Sequence, residues 1–86
     1  MPSEKLIQKV ISIIAENQYI PQEEISLESE FEELGIDSLG ALGIIGEIEN
    51  EFNITIPNDK AFLIKNVRQL VEGLEELLST ATTHTS

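Results

Sequence analysis

The sequence predicts an all-α domain with three main helices, a short fourth, and one long ordered loop between the first two main helices. Two observations carry this reading. Apolar residues recur at spacings of three and four near residues 4–17, 38–52 and 66–78, the period that gathers them on one face of a helix. The connection over residues 18–36 is longer than most helix–helix links. It nevertheless keeps returning apolar anchors, at Ile20, Ile25, Leu27, Phe31, Leu34 and Ile36, so it reads as ordered rather than as a linker. At 86 residues the chain makes one small domain, expected over residues 1–78.

The first helix has Ser3 as its cap and Glu4 in the first turn, where the helix dipole favours an anion. Leu6, Ile7, Val10, Ile11 and Ile14 form its apolar face. Asn17 and Gln18 weaken the pattern, and Pro21 is expected to end it. In the loop, residues 29–34 have the makings of one helical turn, and Gly35 offers a positive-φ position. The second helix is expected from Ser38 to Glu51 or Phe52, with Ala41, Leu42, Ile44, Ile45, Ile48 and Phe52 on one broad face. Gly40, Gly43 and Gly46 fall together on the other side, near Glu47 and Asn50. Three interior glycines cost roughly 2–3 kcal/mol of helix propensity relative to Ala, so the stripe needs a reason. Asn53 can break this helix in a left-handed conformation, and Ile54, Thr55 and Ile56 continue as an extended trio up to Pro57. A short helix is expected at residues 59–63. Asn66 then caps a last helix faced by Val67, Leu70, Val71, Leu74, Leu77 and Leu78. The tail, residues 79–86, loses periodicity and charge and is expected to be disordered.

Sixteen acidic residues face five basic ones, a formal net charge of -11. No Lys or Arg lies between Lys9 and Lys60, an interval holding Asp37, Asp59 and ten Glu. Such a surface repels nucleic acid and anionic membranes and attracts basic protein surfaces. Acidity also keeps a small domain soluble, but the one-sided run around Ser38 favours docking. The chain has no Cys, which removes disulfides and thiol catalysis. No apolar run approaches a membrane span, and the first residues do not read as a signal peptide. A cytoplasmic monomer is the expectation. Thirteen Ile with few aromatics make an aliphatic core. Ordinary packing explains it, and room to open for an apolar guest is the alternative.

Self-contained catalysis is excluded by what is missing. The one His, His84, sits in the tail, so no Ser-His pair can be built into an ordered site. Zinc lacks ligands. Neither Asp37 nor Asp59 is followed by the alternating oxygens and central Gly of an EF-hand. The glycines read GxxGxxG inside a helix, not the GxGxxG turn of a dinucleotide site. The carboxylates read as a solvated face. What remains is Ser38 behind Asp37 at the start of an apolar-faced helix. Taken alone, that dipeptide is simply a helix N-cap.

The wider pattern gives it another meaning. LGIDSL over residues 34–39, a helix ending EIENEF, an I-x-I-P exit and the closing NVRQLVEGLEELL together resemble the acyl carrier protein family over nearly the whole ordered chain. The resemblance implies that Ser38 takes a covalent 4′-phosphopantetheine arm from coenzyme A by way of a phosphopantetheinyl transferase. Acyl groups would then ride on the terminal thiol as thioesters, in fatty-acid, lipid or polyketide-type biosynthesis. It also implies that Asp37 is the acid met by the transferase and that Leu39 flanks the arm as a partner contact. Acyl-activating or acyl-transferring enzymes with basic docking surfaces would do the catalysis.

The sequence departs from the family where ordinary fatty-acid carriers place acids and a Met on the partner-facing side of the second helix. Gly40, Gly43 and Gly46 stand there instead, leaving Glu47, Glu49, Asn50 and Glu51 further along; Lys60 is a further departure. The glycines either permit close approach by a dedicated partner or have drifted in under few partners. Both readings point to a specialised carrier rather than the housekeeping one. A D-alanyl carrier protein is the runner-up among carriers, and an unmodified acidic helical interaction module is the alternative from another class.

Overall fold

The structure, a computed structural model, describes residues 3–85, with side chains described for residues 3–79. Helix α1 spans Glu4–Gln18, α2 Ser38–Phe52, α3 Asn58–Ala61 and α4 Val67–Thr85, with a single 3-10 turn at Gln22–Glu24. The three main helices, the short fourth and the long loop therefore stand as the periodicity requires. Among the described residues the only β pairing is one isolated antiparallel bridge, Glu30 with Asn66.

The apolar faces meet in one core. Val10 and Ile14 of α1, Ile44 and Ile48 of α2, and Val67, Leu70, Val71 and Leu74 of α4 are its fully buried side chains. Loop residues Ile25, Phe31 and Ile36 are buried among them, which is why the connection is ordered. No charged or polar side chain is buried among the described residues. The core is thus held by aliphatic burial, at about 1.5–3 kcal/mol per fully buried side chain.

Caps set the helix limits. Ser3 Oγ accepts from Leu6 N at 3.1 Å, as its sequence position predicts. The end of α1 differs from the expectation. It is not Pro21 but Tyr19 that stops the helix, in the left-handed region at φ 58°, with Ile20 N donating back to Ala15 O at 3.0 Å. Ala15 O thus accepts from both Tyr19 N and Ile20 N, and the second bond turns Ile20 inward, which offsets the roughly 1–2 kcal/mol a non-Gly residue costs there. Helix α2 stops in the same way at Asn53, φ 56°, with Ile54 N donating to Glu49 O at 3.1 Å; here the expected residue is the one used. Helix α3 begins and ends earlier than expected, which leaves Phe62 and Leu63 beyond its last turn and exposed. Backbone helix in α4 runs on to Thr85, through most of the segment expected as a tail; His84 lies outside the residues with described side chains.

The loop is strapped to the head of α4. Phe31 N donates to Lys65 O, Val67 N to Ser29 O and Arg68 N to Leu27 O, at 3.0, 3.0 and 3.1 Å. Arg68 and Glu28 add a surface ion pair, and hydrogen bonding to Glu28 raises the guanidinium further above its ordinary pKa. Residues 30–34 make the one helical turn expected, with Leu34 N donating to Glu30 O at 3.1 Å, and Ile36 N donating to Phe31 O at 2.9 Å closes it. Gly35 takes φ +77°, the conformation it alone adopts without strain, and delivers the chain to Asp37.

Candidate functional site

Ser38 owes its position to its neighbours. Ile36 is buried and anchors the end of the loop, while Asp37 is extended and caps α2, its Oδ1 accepting from Gly40 N at 2.8 Å. Ser38 is therefore the first residue of α2, and its side chain is exposed. Among the described residues the amides of Ser38 and Leu39 have no acceptor, whereas Gly40 N and Ala41 N are taken by the side chain and carbonyl of Asp37. An exposed hydroxyl next to two unused N–H donors at the positive end of a helix suits a group that brings an anion with it.

Two hollows meet at Ser38. One lies against the loop and includes Glu30, Glu32 and Asp37. The other, of about 120 Å³, runs between α2 and α3 past Leu42, Ile45, Ala61 and Phe62. Lys65 lines both. A larger hollow at Leu6, Phe52 and Leu78 belongs to the other end of α2, about 20 Å away at 1.5 Å per residue.

The residues singled out from sequence fare differently. Leu39 stands clear of the surface at 79 % exposure, and Glu47 and Asn50 are exposed on the same helix. Leu42, expected in the core, is half exposed instead, because it lies at the outer edge of the apolar face beside Ser38. Glu49 is not a free docking acid: its carboxylate accepts from Ile56 N at 2.7 Å and fixes the turn after α2. Glu51 pairs with Lys9 at 2.9 Å. Lys60 leans to Glu76 of α4 at 3.9 Å, outside both hollows at Ser38.

The glycine stripe divides. A Cβ at Gly40 would come within 3.1 Å of both Gln18 Oε1 and Ile36 Cγ2, and one at Gly43 within 3.4 Å of Asn17 Oδ1. Gly40 therefore faces the end of α1 and the loop, because α1 packs alongside α2, whereas Gly43 is exposed and a Cβ there would make one ordinary contact with Asn17. Only Gly46 of the three has open space beside it. Lys65, Phe62 and Leu63 went unremarked in the sequence. A signal was there: in the apolar run Phe62-Leu63-Ile64 at the end of a short helix, not every member can turn to the core.

The family comparison agrees with this geometry. The model of the phosphopantetheine attachment site matches residues 8–74. Acyl carrier protein of Rickettsia bellii is 47 % identical over 70 residues, covering 80 % of this chain and 81 % of its own length. Acyl carrier protein of Amoebophilus asiaticus is 42 % identical over 73 residues, covering 84 % and 91 %. An acyl carrier protein homolog of Ureaplasma parvum is 36 % identical over 72 residues, covering 84 % and 94 %. Among the described residues no helix is long and apolar enough to cross a membrane, and no cluster of His, Cys, Asp or Glu could hold a metal ion. A match of this extent, over a bundle whose loop delivers one exposed serine to a helix start, establishes that the chain belongs to the acyl carrier protein family, non-catalytic carriers that bear 4′-phosphopantetheine.

Proposed function

We propose that Ser38 is the residue that bears 4′-phosphopantetheine, and that this carrier serves dedicated acyl-processing partners. The observation that carries the first part is the placement of Ser38, exposed at the head of α2 beside the unused amides of Ser38 and Leu39. When attached, the group supplies a terminal thiol that holds acyl cargo as a thioester. The chain's own residues supply the rest. The Ser38 oxygen loses its proton to the transferase or solvent and bonds to the phosphorus next to pantetheine in coenzyme A. The pyrophosphate P–O bond breaks and adenosine 3′,5′-bisphosphate leaves; the two amides and the helix dipole stabilise the resulting phosphodiester anion. Asp37 holds the first turn in place through its bond to Gly40 N and presents a carboxylate to the transferase. Leu39 offers partners an apolar contact next to the arm.

A dedicated partner set is supported by the outward face of α2. Leu39, Leu42 and Gly46 stand there without an acid between Asp37 and Glu47, and Glu49 is occupied by the turn that follows. Gly40 is accounted for by α1 and the loop, so this part of the reading rests on Gly43, Gly46 and the exposed leucines. Partners would grip apolar shape near the arm and charge only further off. The same reading takes residues 1–78 as one carrier domain acting as a monomer in the cytoplasm.

Incubation with coenzyme A and a broad phosphopantetheinyl transferase tests the first part by intact mass. One arm is expected on the native chain and none on Ser38→Ala; no gain, or a gain that survives the substitution, overturns it. The loaded protein is then offered to a general malonyl transferase and ketosynthase. Slow turnover is expected, and turnover equal to a housekeeping carrier overturns the dedicated reading. Aminoacylation by a D-alanine-activating ligase would replace it with a D-alanyl carrier.

A further inference from the structure

We infer that Lys65 is the counter-cation of the phosphodiester on Ser38 and draws the arm toward the α3 side. The inference rests on attachment at Ser38. Both hollows that meet at Ser38 are lined by Lys65, and neither contains another Lys or Arg. The remaining bases are engaged or distant. Lys9 pairs with Glu51, Lys60 with Glu76 and Arg68 with Glu28, while Lys5 lines the hollow at Leu6 and Leu78. Lys65 has no carboxylate within ion-pair distance among the described residues.

Its place is fixed by the main chain. Lys65 O accepts from Phe31 N at 3.0 Å and Lys65 N donates to Gln69 Oε1 at 2.6 Å. The ammonium is thus free to turn to an incoming anion, and replacing the side chain leaves both bonds intact. Charge around Ser38 is lopsided. Glu30, Glu32 and Asp37 line only the loop-side hollow, where they repel a phosphodiester and offset Lys65, whereas Lys65 is the one charged residue lining the crevice faced by Leu42 and Phe62 and attracts the anion there. The two biases act in the same direction. Lys65 is therefore a positioning residue: it leans the arm over an apolar crevice instead of leaving it free to swing toward the acids.

The test compares apo and holo forms of the full chain by NMR at a single pH, following the lysine side-chain resonances. The Lys65 resonance is expected to move on arm attachment, with Lys5 unmoved. The movement should shrink in high salt. In holo Lys65→Gln the phosphorus resonance of the arm should shift from its native position, while the unfolding temperature of apo Lys65→Gln matches native apo protein. Equal movement of the Lys65 and Lys5 resonances, or a phosphorus resonance unchanged by Lys65→Gln, overturns the inference. Intact mass separates the two failures: an arm on Ser38 with Lys65 unmoved removes this inference alone, and no arm on Ser38 removes the attachment reading as well.

Discussion

The heads of α2 and α4 use the same local device to different ends. Each begins behind a short polar cap, Asp37 or Asn66, whose side chain accepts from the amide three residues on, at 2.8 Å in both. In α4 the two amides between cap and capped residue are also filled, Val67 by Ser29 O and Arg68 by Leu27 O. In α2 the equivalent amides, of Ser38 and Leu39, are left open beside an exposed hydroxyl. A helix start has donors that must go somewhere. Where the loop satisfies them the start is structural, and where none of the described residues does, the start has room for a group that arrives later, as proposed for Ser38.

The largest test of this contrast removes the strap. Phe31 is buried and its amide holds Lys65 O, so Phe31→Ala should cost about 3–5 kcal/mol in urea unfolding. Hydrogen exchange should then quicken at Val67 and Arg68, whereas Ser38 and Leu39 exchange fast in the native apo protein already. Next comes the cap itself. Asn66→Ala should cost about 1 kcal/mol, and Asp37→Ala a similar amount in apo protein. If Asp37→Ala alone is neutral, the two starts are not alike even locally. The smallest effect concerns the glycines of α2. Gly46→Ala, with open space, should gain about 1 kcal/mol of helix propensity. Gly40→Ala should gain less or lose, since its Cβ meets Ile36 and Gln18. Equal gains at both positions would return Gly40 to the partner-facing surface.

Helix limits and core were legible because period and caps are local properties of the chain. Ser3, Asn53 and Asn66 could be assigned from residue type, and the apolar faces of α1 and α4 from spacing. Tyr19 could not, since a left-handed Tyr depends on Ile20 finding a place against the core. Ser38 was found through motif and context together, and its exposure follows from the caps on either side. The contacts of Glu49 and Gly40 within the fold were hidden for one reason. Both look outward on an isolated helix, and only tertiary packing brings Ile56 N to the first and Gln18 to the second. Lys65 was hidden in the same way: the loop that brings it to Ser38 closes across more than twenty residues of sequence.

The carboxylate of Glu49 on Ile56 N, and the bonds that hold Lys65 to Phe31 and Gln69, have a mechanical consequence when taken together. They are rivets at the two ends of one short panel, residues 57–64, which contains α3. Between them the panel is fastened mainly by half-buried Ala61 and Ile64 against the core. Force applied at the crevice beside Ser38 will bend this panel before it disturbs α1, α2 or α4. Widening the crevice is therefore a local event that leaves the frame standing, and the rivets decide how far it extends.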